Sequence, residues 1–297
     1  MLIAVSGPTG FIGSQLVPAL ERDEHVVRRI VRSRPSAGDV QWSPDERRID
    51  AAALAGVEAV IHLAGENIGQ RWTDAAKRRI RESRVVGTHL LASTLASLPR
   101  APRIFISASA IGIYGADRDD EVLDESSEPG DDFLSDLGVE WEAATEPAAA
   151  AGIRVVRTRF GVVLDPAGGM LGRILPVFRL GLGGRLGDGK SWMSWVSLTD
   201  LIEVMRFLLR VPALSGAVNV TAPHPVRNAE FTATLGLVLR RPAIAVVPAF
   251  ALRTVYGEMA DATILASQRV LPAKLTAAGF RFEHPKLEAA LRAELKN

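Results

Sequence analysis

The sequence lacks cysteine altogether, since none occurs among its 297 residues. That absence excludes disulfide bonds, thiolate catalysis and every zinc site that uses sulfur ligands. The five histidines are scattered along the chain and form no H-x-x-x-H pair: His25, His62, His89, His224 and His284. We therefore predict no bound metal ion.

Long hydrophobic runs are missing as well. No stretch of about 18 consecutive apolar residues occurs. The chain also does not open with a charged segment followed by an apolar run and a cleavage motif. These two absences predict a cytoplasmic protein that has no membrane partner.

The sequence also has no excess of charge of one sign, because 35 Lys and Arg balance 34 Asp and Glu to a net charge of +1. A balanced chain creates no overall field that would attract a polyanion, so we do not expect a nucleic acid partner. Hydrophobic residues make up 47% and charged residues 23% of the chain, as in ordinary globular domains. A small-molecule ligand is therefore the expected partner.

Short apolar runs alternate with longer amphipathic runs over the first two thirds of the chain, which is typical of βαβ units. The predicted strands cover 2–5, 25–31, 59–63, 103–107, 153–157 and 217–220, and the predicted helices cover 11–21, 73–97 and 133–151. The strands are mainly apolar, so both faces of the sheet should be covered. We predict an α/β fold with a doubly wound parallel-sheet Rossmann domain over 1–222.

The remaining segments predict loops and a smaller, mainly helical C-terminal domain over 223–297, with no strand beyond 244–247. Glycine-rich residues at about 165–197 predict loops on the substrate side of the sheet, together with a helix over the sheet edge. Residues 117–132 carry nine Asp or Glu and one Arg. Such a run predicts a solvated loop, and a mobile lid is the functional alternative.

A glycine motif, Gly7-Pro8-Thr9-Gly10-Phe11-Ile12-Gly13, follows the first predicted strand and opens the first helix. Glycines at these places allow a tight turn, close approach of a pyrophosphate and close packing of helix on strand. The helix N-terminus then binds the anion. The predicted dinucleotide contacts are Gly7, Thr9, Gly10, Phe11, Ile12 and Gly13.

The end of the second strand reads Val31-Arg32-Ser33-Arg34, where a NAD-binding protein has Asp or Glu to bind the ribose 2′-hydroxyl. Guanidinium groups beside a hydroxyl can bind a 2′-phosphate instead. This favours NADP(H), bound by Arg32, Ser33 and Arg34, over the alternative of a surface arginine pair.

A second glycine motif, residues 184–191, matches the phosphate loop G-x-x-x-x-G-K-S of nucleotide triphosphatases. Such a loop needs a buried strand before it and a helix that starts at its Lys-Ser. The flanking residues predict neither, so we interpret the segment as a substrate-side loop or a coincidental match.

Several further motifs resemble an extended short-chain dehydrogenase/reductase. They are His62-Leu63-Ala64-Gly65, Ser107-Ala108-Ser109 with Tyr114-Gly115, and Arg159-Phe160-Gly161. The segments Gly65-Glu66-Asn67, Arg71-Trp72-Thr73, 83–88, Trp141-Glu142 and 192–195 resemble its atypical nucleoside-diphosphate-sugar epimerase-like branch, and the tail resembles that branch's C-terminal domain of unknown function. The resemblance implies a Rossmann core with bound NADP(H), and it adds Leu63, Ala64, Gly65, Glu66, Arg84, Ser107, Ala108 and Arg159 to the cofactor site.

Members of the wider family use a Tyr-x-x-x-Lys pair as their proton-transfer device, but residues 132–142 contain neither residue type. Phe133 or Leu134 replaces the tyrosine, and Leu137 or Gly138 replaces the lysine. The candidate catalytic residues are then Ser109, which could hydrogen-bond a substrate oxygen, and Tyr114, for which a packed tyrosine at a strand end is the alternative.

Two functions stay open at this point. One is an epimerase-like oxidoreductase of unknown substrate that uses NADP(H) and an unconventional proton donor. The other is a non-catalytic NADP(H)-binding sensor or interaction protein. The resemblance also implies a homodimer through the helices at 73–97 and 133–151.

Overall fold

A computed structural model describes residues 1–33 and 35–296. The strands, in chain order, are β1 (Leu2–Ser6), β2 (Val26–Val31), β3 (Val40–Ser43), β4 (Arg48–Ile49), β5 (Ala59–His62), β6 (Ile104–Ala110), β7 (Asp117–Leu123), β8 (Arg154–Phe160), β9 (Val162–Leu164), β10 (Gly184–Leu186), β11 (Trp192–Met193), β12 (Trp195–Ser197), β13 (Gly216–Val220), β14 (Val226–Arg227), β15 (Ala245–Val247) and β16 (Ser267–Val270). The α-helices are α1 (Gly13–Arg22), α2 (Asp74–Ser97), α3 (Phe133–Ala143), α4 (Glu146–Ala150), α5 (Gly169–Arg179), α6 (Leu198–Arg210), α7 (Asn228–Leu239), α8 (Ala249–Tyr256), α9 (Ala273–Ala277) and α10 (Leu287–Leu295).

The main sheet has eight strands in the order β13-β8-β6-β5-β1-β2-β3-β4. Neighbouring strands are parallel except β3 and β4, which are antiparallel. The chain moves outward in one direction from β1 through β2 to β3, and in the other from β5 through β6 to β8. This confirms the predicted doubly wound Rossmann fold, and its topological switch point lies between β1 and β5, where such folds bind their ligands.

Both faces of the sheet are covered, as the apolar strands predict. On β1, Ile3 and Val5 point into a core cluster shared with α1 and α6, whereas Ala4 points into a second cluster shared with α2. All three side chains are completely buried. Consecutive residues of a strand face opposite sides, so each strand contributes to both layers.

A third core cluster builds the C-terminal portion, where helices predominate. It joins Leu171 of α5, Trp195 of β12, Phe231 of α7 and Leu291 of α10. These residues come from both sides of position 222, and the domain boundary at 222/223 stays a prediction. Among the described residues, no helix has the length and apolarity needed to cross a bilayer.

Three expectations about the secondary structure were wrong. The acidic segment is not a loop throughout, because β7 pairs in parallel with β16 and Leu123 is fully buried. The portion after 222 contains strands besides 244–247, since β14 pairs with β11 and β16 with β7. The predicted helix over 133–151 is broken into α3 and α4, because Pro147 lies in the first turn of α4, where a proline is tolerated only at a helix start.

Candidate functional site

The glycine turn joins β1 to α1 at the switch point of the sheet. Gly7 has a φ of +69°, a left-handed conformation that residues with side chains rarely adopt. A Cβ on Gly13 would lie 2.1 Å from the carbonyl oxygen of Gly7, so only glycine fits where the helix meets the turn. No described side chain caps the start of α1, whose N-cap residue is Ile12. Ser14 and Gln15 donate their amides to the carbonyls of Gly10 and Ile12, so among the described residues the amides of Phe11, Ile12 and Gly13 are the ones left for an anion.

Ser6 and His62 end two neighbouring strands and hold the loop after β5 against the glycine turn. The Ser6 hydroxyl accepts hydrogen bonds from the amides of Leu63 at 3.1 Å and Ala64 at 3.3 Å. It also lies 2.6 Å from Nδ1 of His62, and since its oxygen already accepts two bonds, we assign its proton to that contact. Burial lowers the pKa of His62 to about 4, so the ring is neutral at physiological pH. Gly7 packs directly on this loop, as its Cβ would lie 3.1 Å from the Ala64 nitrogen.

Arg84 of α2 lies behind the loop at 63–66. Its guanidinium carbon is 5.0 Å from the ring centroid of Trp141. A Cβ on Gly65 would lie 3.4 Å from the same carbon. Burial lowers the pKa of Arg84 to about 10, an effect that the charge of Glu66 opposes, and the side chain stays charged at neutral pH. The predicted cofactor residues after β5 thus lie directly against the glycine turn on one side and against the charged Arg84 on the other.

Arg32 and Ser33 directly follow β2, and both are exposed. Arg34, which the sequence predicts beside them, lies outside the described residues. Because β2 is the parallel neighbour of β1, with Ile30 opposite Ser6, Arg32 and Ser33 lie next to the glycine turn. This is the side of a doubly wound sheet on which the adenosine ribose of a dinucleotide is bound.

The segment around Gly168, at the start of the predicted substrate-side loops, packs on the glycine turn. A Cβ on Gly168 would lie 2.5 Å from the Phe11 ring, so the two segments are in tight contact. A cavity of about 330 Å³ opens between them, lined by Thr9, Gly10, Phe11, Ser14, Gln15, Asp165 and Ala167. A larger cavity of about 420 Å³ lies against α6 and residues 279–283. Its described lining contains none of the predicted site residues, so we place the candidate site at the glycine turn.

A buried network of hydrogen bonds occupies the carboxyl ends of β6, β8 and β13. The strand register places Ser109, Arg159 and Asn219 side by side. Ser109 donates to Glu142 at 2.8 Å, and Arg159 donates to both oxygens of the same carboxylate at 2.7 and 3.0 Å. Arg159 also donates to the hydroxyl of Tyr114 at 2.8 Å, which in turn donates to Asn219 at 2.8 Å. Each of these five residues is at most 8% exposed.

The surroundings of Tyr114 and Arg159 keep the tyrosine neutral and the arginine charged. Burial raises the pKa of Tyr114 above its ordinary value, and the charge and hydrogen bond of Arg159 offset only part of that shift. Burial alone would lower the pKa of Arg159, but the hydrogen bonds and charge of Glu142 outweigh it and raise that pKa. The structure therefore places both candidate catalytic residues, Ser109 and Tyr114, in a network whose bonds are made within the protein. Their catalytic role stays a prediction.

Two members of the network, Glu142 and Asn219, are absent from the predicted site. Asn219 gives a sequence signal, because a buried amide in an apolar strand needs hydrogen-bond partners. Its side chain also donates to the Leu271 carbonyl at 3.0 Å. Glu142 belongs to the family-like pair Trp141-Glu142, but a glutamate on an amphipathic helix normally faces water, so the sequence does not indicate its buried ion pair. The predicted cofactor residues Ser107 and Ala108 are buried within β6.

Apolar residues occupy the start of α3, where the resemblance places the proton-transfer pair. The ring of Phe133 packs edge-to-face on Trp72 at 5.1 Å between centroids. The ammonium of Lys77 lies 4.9 Å from the Phe133 centroid. A Cβ on Gly138 would lie 2.8 Å from Cβ of Ile113. A lysine at position 138 would therefore require the backbone to shift.

Tyr256 is the second of the two tyrosines in the sequence and was not predicted as a site residue. It ends α8 and is half-buried against the apolar cluster of Trp72, Leu137 and Met259. Phe133 packs against the same cluster. Tyr256 is thus the tyrosine of this chain that lies outside the buried network.

The second glycine motif does not have the surroundings of a phosphate loop. It begins in β10, and the exposed Lys190 is followed by β11 rather than by a helix. The segment instead packs on the start of α7, where the amide of Leu186 donates to Asn228 at 2.8 Å. This agrees with its interpretation as a loop that is not a triphosphate site.

Comparison with known proteins identifies the family of this chain. The model of the NAD dependent epimerase/dehydratase family matches residues 3–221, and that of a domain of unknown function (DUF1731) matches 247–294. An epimerase family protein of Mycobacterium bovis is 45% identical over 98% of this chain and 96% of the relative. The human epimerase family protein SDR39U1 is 35% identical over 98% of this chain and 99% of the relative. The crystal structure of the human protein with NADPH superimposes with a TM-score of 0.92 and 33% identity over all of both chains. The chain therefore belongs to the NAD dependent epimerase/dehydratase family.

Proposed function

We propose that this chain binds NADP(H) at the switch point of its sheet and acts as an epimerase-like oxidoreductase. The observation that carries the proposal is the glycine turn, because Gly7 and Gly13 leave backbone amides and a helix N-terminus open to a pyrophosphate. The human relative, crystallised with NADPH, supports the same cofactor. Dimerisation and a cytoplasmic location stay predictions.

The preference for NADP(H) over NAD(H) rests on Arg32 and Ser33. Both are exposed beside the glycine turn, and both can donate hydrogen bonds to a 2′-phosphate. A guanidinium offers no acceptor to the free ribose hydroxyls of NAD(H). We expect the phosphate contact to contribute most of the discrimination between the two cofactors.

The reaction needs a proton as well as the hydride that the cofactor supplies when bound. We propose that Ser109 and Tyr114 have a structural role and take no part in the reaction, because their hydroxyl groups are already hydrogen-bonded to Glu142, Arg159 and Asn219. Tyr256 is then the candidate proton donor of the chain, because it packs on the same apolar cluster as Phe133, where the resemblance places the tyrosine of the wider family. A phenol that donates a proton near neutrality can contribute about 10²- to 10⁴-fold to the rate.

A second function, NADP(H) binding without turnover, is favoured by the start of α3. Phe133 and Gly138 are packed against Trp72 and Ile113, where the wider family has its tyrosine and lysine. A protein of this kind would report the state of the NADP(H) pool to a partner.

One experiment tests binding and turnover separately. Cofactor-stripped protein is titrated by calorimetry with NADPH, NADH and Mg-ATP, and we expect tight binding of NADPH alone. The NADPH-loaded protein is then mixed with a panel of carbonyl compounds while absorbance at about 340 nm is followed. Oxidation that Tyr256→Phe abolishes and Ser109→Ala spares supports our assignment. Oxidation that depends on Ser109 contradicts it, and tight binding without any oxidation supports the second function.

A further inference from the structure

Solvent-exposed large apolar side chains are concentrated in the C-terminal half of the chain. Of the twelve such side chains among the described residues, eight lie within 177–182 and 237–255. The most exposed are Ile244 at 89%, Leu180 at 74% and Phe250 at 71%. Single exposed apolar residues are ordinary, but a concentration of this kind marks an interaction surface.

The two segments form one continuous surface. β10 and β15 pair in parallel, with Gly184 opposite Ala245. A Cβ on Gly181 would lie 3.2 Å from the Pro242 ring, so the loops before these strands are in contact as well. α8 directly follows β15, and none of its eight residues, all described, is buried. Leu180 and Ile244 therefore lie on neighbouring segments, and Phe250 lies on the helix that follows β15.

Arginine is the predominant charged residue of these two segments, although the exposed Asp188 and Glu230 directly adjoin them. Residues 166–187 and 231–257 together contain six arginines and no Asp or Glu. Arg253 pairs with Asp261, and Arg173 donates to the Gly69 carbonyl. The other four are exposed and form no ion pair with another described residue: Arg179, Arg185, Arg240 and Arg241.

We call these four arginines, together with Leu180, Leu182, Ile244 and Phe250, the basic apolar face. A second copy of the chain is a poor occupant, because a twofold interface brings the same patch of both copies together and would oppose arginine to arginine. An anionic bilayer fits both properties, since apolar side chains enter the boundary between headgroups and acyl chains while arginines bind lipid phosphates.

We propose that the basic apolar face binds the headgroup region of an anionic lipid bilayer, with Leu180, Ile244 and Phe250 inserted. Peripheral binding needs no spanning helix, so it is compatible with the absence of one among the described residues. The absence of long apolar runs, on which we based the expectation of no membrane partner, excludes membrane-spanning helices only. It does not exclude peripheral binding at the bilayer surface. The proposal does not depend on the cofactor or on turnover.

Vesicle flotation of the full chain tests this proposal. Vesicles of phosphatidylcholine alone are compared with vesicles that contain about one quarter phosphatidylglycerol, at low and high salt. We expect binding to the anionic vesicles only, weakened by salt. The double variants Ile244→Ser with Phe250→Ser, and Arg240→Gln with Arg241→Gln, should each reduce the bound fraction at limiting lipid by about tenfold.

Matched controls lie on other elements. Val26→Ser removes an exposed apolar side chain from β2, and Arg22→Gln removes an exposed arginine from α1. Both should bind like the unmodified protein, and circular dichroism establishes that every variant is folded. Three results overturn the proposal: no binding to either vesicle, equal binding by the face variants and the controls, or a dimer in sedimentation that Ile244→Ser dissociates.

Discussion

Replacing Glu142 by glutamine removes the negative charge at the centre of the buried network and nearly preserves its shape. The carboxylate accepts two hydrogen bonds from Arg159 and one from Ser109. After the substitution, Arg159 stays charged in a site where it is 8% exposed, and its counter-charge is gone. We expect a large loss of folding stability.

The magnitude follows from burial. Breaking a buried ion pair by removing one partner costs about 3–5 kcal/mol, and the amide oxygen of glutamine can still accept one of the arginine bonds. We therefore expect a loss of about 3 kcal/mol. Glu140 offers a matched control on the same helix, since it pairs with Arg81 at 2.8 Å but both side chains are about 40% exposed. Glu140→Gln should cost less than about 1 kcal/mol.

Urea unfolding at neutral pH, followed by circular dichroism and tryptophan fluorescence, measures both losses. Equal slopes in urea would show that the variants expose the same surface, so that the midpoints report stability. Equal losses for the two variants, or a loss below about 1 kcal/mol for Glu142→Gln, would refute the conclusion that this network holds a buried charge pair.

Three further predictions concern the same region. Tyr114→Phe leaves Arg159 and Asn219 each without one partner, so it should cost about 1–3 kcal/mol in urea unfolding while NADPH affinity stays unchanged; a cost below about 0.5 kcal/mol would contradict the network. Gly13→Ala places a Cβ against the Gly7 carbonyl and should weaken NADPH binding at least about tenfold, whereas Gly87→Ala, which meets Trp42 at an ordinary 3.5 Å, should bind normally. Burial lowers the pKa of His62 from an ordinary 6.5 to about 4 in the folded state, so the unfolded chain binds a proton first as the pH falls. The contribution of His62 to folding stability is therefore present above pH 6.5 and falls by about 3 kcal/mol as the pH approaches 4. His62→Gln should lack this pH-dependent loss.

The sequence predicts those parts of the fold that local patterns encode. Short, mainly apolar runs such as 59–63 and 103–107 correctly indicate strands buried on both faces, and the glycine turn correctly marks the junction of β1 and α1. These features depend on residues close together in the chain. Backbone geometry at Gly7 and the clash at Gly13 then explain why glycine is needed there.

Features that depend on distant contacts could not be predicted. The acidic residues of β7 do not indicate a strand in the sequence. The strand forms because β7 pairs with β16, which lies far along the chain, and because Leu123 is buried. The role of Glu142 likewise depends on tertiary structure. Its carboxylate binds Arg159 only because α3 lies over the ends of β6 and β8. Tyr256 reaches the apolar cluster of Phe133 only because the C-terminal portion folds back onto the sheet domain.

The most direct test of the cofactor assignment is a calorimetric titration of the unmodified chain and of Arg32→Ala with NADPH and NADH. We predict that the unmodified chain binds NADPH more tightly, and that Arg32→Ala weakens NADPH binding by about 1.5–3 kcal/mol while barely changing NADH binding. Equal affinity of the unmodified chain for the two cofactors, or equal losses for both in the variant, would contradict the proposal that Arg32 binds the 2′-phosphate of NADP(H).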